Sequence, residues 1–286
     1  MDIGVAVAKD RMYVANRDGN NILIFDSAST VNGNIAPTKI IYITNPVSVA
    51  LDVTRDILYV ITAEVSFTGH YQGNAIAVFD HASSISGNVS PDRLIQGNNT
   101  QLKEATDLFI DTNKDRLYIS QVFGISASAH MLVFNNASTA TGDIAPSRML
   151  YATYSVPSPT NAMGISLDLN RDIFYLATFN LVEVYEHAST VNGNLAPIRE
   201  VGDQTDFATE NWLKAPSGIF IDSQGDRLYV ATPPIVGNGG AIWILDHAST
   251  ISGDTAPYRL ITGSNTTLAF PALLQDPVGI FVDTTR

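Results

Sequence analysis

The chain has 286 residues, 45% of them hydrophobic, a net charge of −12 and a pI near 4.6. So acidic a balance, with only 16 Lys and Arg, argues against a nucleic-acid backbone or an anionic membrane as partner. There is no cysteine, which excludes disulfides, thiolate metal sites and a cysteine nucleophile, and no run approaches the ~18 apolar residues of a membrane helix.

The chain starts Met1-Asp2-Ile3-Gly4, with neither the basic nor the apolar region of a signal peptide. Its Asn/Thr/Ser-rich, Lys-poor surface points to an extracellular or cell-surface setting. The signal segment would then be missing from this chain, a mature form or an excised fragment. From there one unit recurs. An Ala-Ser pair falls at residues 28, 82, 137, 188 and 248, in steps of 54, 55, 51 and 60. Before each pair run two strand-like segments rich in β-branched and aromatic residues. The nearer copies are Asn21–Asp26, Ala75–Asp80, His130–Asn135, Leu181–Glu186 and Ala241–Asp246. The earlier ones are Arg11–Ala15, Ile57–Ile61, Arg116–Ser120, Ile173–Ala177 and Arg227–Ala231. A first strand of the Gly218–Asp222 type precedes them, and a fourth follows Pro37, Pro91, Pro146, Pro197 and Pro257. Repetition at this period specifies the fold.

The third strands are apolar almost throughout, as in Ile242-Trp243-Ile244-Leu245. Strands of that kind are buried on both faces, and a four-stranded unit so buried and repeated radially is a propeller blade. No sustained helical period occurs. The fold class is therefore all-β, a β-propeller of four-stranded antiparallel blades. We read five whole repeats plus the first strand of a sixth, in a single domain over 1–286. The blades run approximately 1–45, 46–103, 104–160, 161–214 and 215–275, with an extra innermost strand over 276–286. Ser217–Asp222, Asp226–Ala231 and Asn21–Asp26 resemble the NHL and YVTN β-propeller repeats. That resemblance implies the same fold and leaves function open, because such repeats serve binding, scaffolding and enzymatic proteins alike.

Antiparallel strands alternate direction, so one end of each blade carries the first-to-second and third-to-fourth connections. These are uniform: Asp52–Asp56, Asp111–Asp115, Asp168–Asp172 and Asp222–Asp226, and loops reading Ala-Ser-Thr-x-x-Gly-Asn. The other end varies, from the long Thr62–Asn74 to the short Thr178–Asn180. Loops that diversify on a fixed scaffold are where binding usually sits. The paired aspartates offer hard oxygens of the kind Ca²⁺ takes. Their spacing matches no EF-hand loop, and fourfold repetition favours capping of turn amides. The aligned cations Lys39, Arg93, Arg148, Arg199 and Arg259 are expected to pair with Asp26, Asp80, Glu186 and Asp246 of the preceding strand. The third copy has Asn135 there.

Candidate ligand-binding residues lie on the variable end: the aromatics Phe67, Tyr71, Phe123, Tyr154, Phe207, Trp212 and Phe270, and His70. Four positions before the closing Asp of each first strand stand Asp2, Ser48, Asp107, Gly164, Gly218 and Gly279. Glycine there suits strands crowding a central axis, and Asp107 would put a carboxylate at the channel mouth. No nucleophile elbow, zinc-binding His pair or phosphate loop is present. We therefore expect no catalytic residues, no resident metal and no cofactor. The expected function is a non-enzymatic extracellular binding or structural module. It would contact protein through the variable face and free strand edges, as part of a surface assembly or filament. Two rivals stand. One is a calcium-dependent hydrolase similar to lactonase propellers, although half of the corresponding inner-strand positions are Gly. The other is a lectin that stacks glycan rings on loop aromatics.

The ends align with one another: Met1–Lys9 matches Val278–Arg286 when Asp10 is set on Asp226. The innermost strand is thus present twice, and a spare strand seeks a partner's edge. Deleting Val278–Arg286 is expected to reduce self-association in light scattering. Equal mass and equal heat stability for the truncated and full chains would exclude that role.

Overall fold

The structure is a computed structural model. It describes residues 10–17, 19–30, 35–63, 75–121, 130–151, 163–178, 181–202, 213, 216–232 and 241–261, and the backbone alone of 2–6, 64–65, 71–74 and 152. The chain divides into two compact units, one built mainly from 1–121 and 131–148, the other from 122–130 and 149–284.

In the first unit the repeat becomes a series of antiparallel sheets. Strands β1 (Asp2–Ala6), β2 (Arg11–Asn16), β3 (Asn21–Asp26) and β4 (Lys39–Tyr42) pair in chain order. So do β5 (Pro46–Asp52), β6 (Ile57–Val65), β7 (Tyr71–Phe79) and β8 (Arg93–Gln96). The third blade contributes β9 (Ala105–Asp111), β10 (Arg116–Gln121) and β11 (Met131–Asn135). From Met149 on, the second unit holds the rest of β12 (Arg148–Ala152), then β13 (Gly164–Asp168), β14 (Ile173–Ala177), β15 (Val182–Glu186), β16 (Gly193–Leu195) and β17 (Arg199–Val201). The last blade is β18 (Gly218–Asp222), β19 (Arg227–Thr232), β20 (Ala241–Asp246) and β21 (Arg259–Ile261). First strands of successive blades lie against one another, β1 on β5 on β9 in one unit and β13 on β18 in the other. These are five blades of a propeller, mostly four-stranded. Helix among the described residues is confined to two single 3-10 turns, Asn98–Thr100 and Ala137–Thr139. The expected sixth first strand, over 276–286, lies outside the described residues.

Two details depart from the sequence reading. The ladder of β6 and β7 continues past a bulge at Thr62 to pair Val65 with Tyr71, so much of the expected Thr62–Asn74 loop is strand. Within the fourth blade's uniform loop, β16 pairs in parallel with β12.

The core fills the space between blades. Tyr13, Ile22 and Ile24 of the first blade pack with Leu58, Val60, Ala77 and Phe79 of the second. Tyr175, Val182, Val184 and Val201 of the fourth pack with Ile219, Ile221, Leu228, Val230 and Leu245 of the fifth. Alternation along each strand turns one face of each of these blades toward its neighbour within the unit.

The uniform end is wired by one repeated clasp. Asp10, Asp56, Asp115, Asp172 and Asp226 all adopt positive φ, from 47° to 58°, a conformation Asp tolerates better than most residues. The carbonyl of each accepts the amide of the Ala in its own blade's Ala-Ser pair, at 2.8–3.1 Å. Its carboxylate accepts both the amide of the Ser, at 2.7–2.9 Å, and the Ser hydroxyl, at 2.7–2.9 Å. The partner aspartate of each turn, Asp52, Asp111, Asp168 or Asp222, accepts two turn amides at 2.8–3.1 Å. Capping therefore describes the first aspartate of each pair, whereas the second ties the turn to the third-to-fourth loop.

The cation pairing needs correction. Arg93 does bond Asp80, at 2.6 Å. Asp26 and Asp246, however, take Arg11 and Arg227 from the second strand directly beside them. Three of the aligned cations reach the next blade, Arg93 in addition to its bond with Asp80. Lys39 donates to the Ser83 carbonyl at 2.8 Å, Arg93 to those of Ala137 and Ala140 at 3.4 Å, and Arg199 to those of Ala248 and Ile251 at 3.4 and 3.0 Å. Tyr13 and Tyr175 add hydroxyl bonds to the Ala82 and Ala248 carbonyls, at 3.3 and 3.1 Å. Outer strands are closed in the same way. Ile41, Ile95, Leu150 and Val201 bridge in parallel to Gly87, Gly142, Gly193 and Gly253 of the following blade's loop.

Breaking one clasp should cost more than losing its hydroxyl. Asp226→Ala, which leaves the Ser249 amide and hydroxyl without their acceptor, is expected to destabilise by about 3 kcal/mol, and Ser249→Ala by about 1 kcal/mol. Denaturant midpoints check the order. Equal effects would mean that the carboxylate does not organise the loop.

Candidate functional site

The first strands place Ser48, Asp107, Gly164 and Gly218 at equivalent positions, four before the closing aspartate. In the second unit this position is crowded. A Cβ on Gly164 would meet the Ser217 carbonyl at 3.2 Å and the Gly218 Cα at 3.4 Å. Nearby, the Ile221 amide donates to Ser166 Oγ at 3.1 Å, tying β18 to β13. The expected reason for glycine, close approach of innermost strands, holds at Gly164.

In the first unit the same position is polar. β5 shifts register between Pro46 and Ser48, and β9 between Ala105 and Asp107. A bulge re-aims the side chains beside it. Here it brings Ser48 Oγ to donate to Asp107 Oδ1 at 2.8 Å, and the Leu108 amide donates to the same oxygen at 2.8 Å. Ser120, directly opposite Asp107 in the ladder, has its hydroxyl 3.1 Å from that of Thr106. Gln121 Oε1 accepts the Lys103 amide at 3.2 Å. Ser48, Ser120 and Gln121 are buried and Asp107 is half-buried. The result is a carboxylate fixed by a hydroxyl and an amide, chemically suited to hold a cation or a polar ligand. Among the described residues no three His, Asp or Glu converge closely enough to hold a metal ion.

Of the other candidates, Phe67, His70, Phe123, Tyr154, Phe207, Trp212 and Phe270 lie outside the described residues. Tyr71 begins β7 opposite Val65, and only its backbone is described. The histidines of the uniform end have a backbone role. His81, His187 and His247 sit at φ 57–60°, and their carbonyls accept the amides of Ser84, Thr190 and Thr250 at 2.8–2.9 Å. His130 is buried, and burial lowers its pKa to about 4, so it stays neutral.

Glu183 escaped the sequence reading. It sits in β15 where the other third strands carry Leu23, Ala77, Leu132 and Trp243, and only 1% of it is exposed. Tyr185 donates its hydroxyl to Glu183 Oε2 at 2.7 Å and stacks on Phe174 with ring centroids 4.7 Å apart. Oε1 has no hydrogen-bond partner. Burial raises the carboxyl pKa to about 7; the Tyr185 hydrogen bond opposes this, and the charge of Glu200, its cross-strand neighbour, adds to it. The signal was legible: a lone carboxyl at a repeat position that is otherwise apolar.

No family model matches the chain, and no curated protein sequence does. The resemblance to NHL and YVTN repeats is thus not confirmed as a family. Among solved structures the chain is similar to the hydrazine synthase of Kuenenia stuttgartiensis, with TM-score 0.54 and 11% identity over 86% of this chain. It spans 62% of the hydrazine synthase chain. It is also similar to a chain of a nidogen/laminin complex, with TM-score 0.57 and 12% identity, covering 94% of this chain and 81% of that one. Likeness at this identity shows the fold alone, a β-propeller.

Glu183 generates a pH prediction. Its folded pKa of about 7 lies above the ordinary 4.5, so the folded chain keeps a proton that the unfolded chain has lost. Stability should therefore fall as pH rises from about 4.5 to about 7, by up to about 3 kcal/mol, and then level off. Glu183→Leu is expected to raise stability at pH 8 and flatten this slope in urea titrations at pH 5 and 8. An unchanged slope would show that the carboxyl does not titrate in that window.

Proposed function

We infer that the protein is a non-enzymatic extracellular binding or structural module whose partners are proteins. The observation that carries this reading is the outer edge of the fifth blade. Strand β21 is exposed along its length, with Leu260 and Ile261 exposed at 42% and 44% and Tyr258 just before it at 63%. An open edge bearing apolar side chains is the surface to which an extended partner adds a strand. The variable loops offer a second surface of the kind that diversifies for binding. A shared fold with a chain of a nidogen/laminin complex is compatible with protein contact. The Asn/Thr/Ser-rich, acidic surface supports an extracellular or cell-surface setting, and self-association through terminal strands fits the same picture.

The rival hydrolase reading needs Asp107 as a calcium ligand, and the lectin reading needs the loop aromatics as sugar platforms. Calorimetry with Ca²⁺, assays on lactone and phosphoester substrates, and a glycan array separate the three. We expect no turnover and no change on Asp107→Asn. Turnover abolished by Asp107→Asn would establish the hydrolase, and saturable glycan binding lost on Trp212→Ala would establish the lectin.

A further inference from the structure

Glu183 stands in the strand pair through which the fourth blade holds the fifth. Strands β15 and β17 share three rungs, in which Val182, Glu183 and Val184 lie opposite Val201, Glu200 and Arg199. Strand β17 in turn grips the fifth blade's Ala-Ser-Thr loop. The Gly253 amide donates to the Glu200 carbonyl at 2.7 Å, and the Gly202 amide to the Gly253 carbonyl at 2.9 Å. Arg199 donates to the Ala248 and Ile251 carbonyls, and Val201 is buried in the core shared by the two blades. Side chains alternate along a strand, so Arg199 and Val201 turn toward the fifth blade, while Glu200 shares the opposite face with Glu183.

That face suits a neutral acid and not a carboxylate. On β15 itself, Tyr185 donates to Glu183 Oε2 at 2.7 Å. From β14 come Leu176, directly opposite Glu183, and Phe174, neither of which carries charge. From β17 comes Glu200, a like charge that raises the Glu183 pKa further after burial has done so. Oε1 has no hydrogen-bond partner. Ionised in place, Glu183 would hold an unsolvated oxygen across the ladder from a second carboxylate, and both conditions are costly. Water can relieve them by two routes. Strand β14 shares five rungs with β15 and is buried at every residue, whereas β17 shares three and lies at the edge. An edge with few rungs opens before the centre of a sheet does.

We propose that Glu183 is a proton-operated latch on the outer edge of the fourth blade: loss of its proton to solvent frees β17 from β15 and from the fifth blade's loop, while β13, β14 and β15 stay paired. The folded group keeps its proton to higher pH than the solvated one, so the latch is shut in acid and opens as pH rises from about 4.5 to about 7. The device goes beyond the binding reading and does not depend on what the protein binds.

Native-state hydrogen exchange of the full chain, read residue by residue at pH 5 and pH 8 and corrected for intrinsic exchange rates, tests this. The Gly202 and Gly253 amides report on the latch, and amides of β14 serve as reference. The opening constant at the two glycines is expected to rise roughly 50-fold between these pH values. It should be insensitive to low urea, whereas opening at β14 should grow with urea. Glu183→Gln keeps the shape and the acceptor for Tyr185 but cannot ionise, and is expected to abolish the rise. Should that variant fail to fold, Glu183→Leu, the residue type found at the equivalent Leu23 and Leu132, replaces it with the same flat profile expected. The proposal is overturned by glycine amides that do not respond to pH, by a rise that survives loss of the carboxyl, or by a urea dependence equal to that of β14, which would mean that β17 opens only when the whole unit unfolds.

Discussion

The structure depends on a single carboxylate geometry used five times. The second aspartate of each turn sits at positive φ, offers its carbonyl to one loop amide, and closes both carboxylate oxygens on the following Ser. A hydrogen bond to a charged acceptor is worth more than a neutral one, and leaving such a partner unmade costs more still. The clasp therefore fixes where the third-to-fourth loop stands relative to its own first hairpin. That loop is also what the preceding blade grips, through Tyr hydroxyls, cations and a parallel Gly bridge. Intrablade order thus sets interblade packing. If the clasp loosens, the carbonyls of the Ala-Ser-Thr segment are no longer presented in register for their neighbour.

This division of labour explains why one end of the repeat is uniform and the other is not. The residues of the Ala-Ser-Thr motif each have a task. Ala is small enough to be buried beneath the neighbouring Tyr, and Ser completes the clasp. The following Thr or Ser bonds back to the left-handed residue before Ala, at 2.8–3.0 Å through its amide. Ser, His or Asn holds that left-handed position, which is why three of the five histidines recur at one place without forming a site. Substituting any of these would disturb two blades. The loops of the opposite end differ in length and sequence from blade to blade, as loops that diversify on a fixed scaffold do.

Much of this was legible in the residues. The strand positions, their antiparallel order, the innermost place of Gly218–Asp222 and the crowding at Gly164 followed from spacing, β-branched content and turn chemistry. What was not legible depended on where neighbours stand. The aligned cations have an acidic residue one strand away in sequence, so an in-blade fork was the natural reading. The ladder, however, places Arg11 directly opposite Asp26 and Arg227 opposite Asp246, and these shorter approaches win. The extension of β6 and β7 was hidden because Glu64, Gln72 and Asn74 look like loop residues. They lie within β6 and β7, whose ladder continues past the bulge at Thr62. Glu183 was readable only by comparing copies position by position, and the bulges that join Ser48 to Asp107 leave no mark in composition.

Repeat proteins put their specific chemistry where a copy departs from the consensus, because the consensus positions are already committed to holding neighbours. Two kinds of departure occur here. Glu183 places a carboxylate where the other blades carry apolar residues, Asp107 places one where the fourth and fifth blades carry glycine, and each has a hydroxyl partner, Tyr185 or Ser48. A buried carboxyl is costly without such a partner, so the pairing and the substitution stand or fall together. The second departure is positional. Ile261 and Ala28 have the consensus identity but not the consensus burial, since what sets burial is the presence of a neighbour rather than the side chain itself. A sequence-conforming residue left exposed therefore carries information that a divergent residue does not.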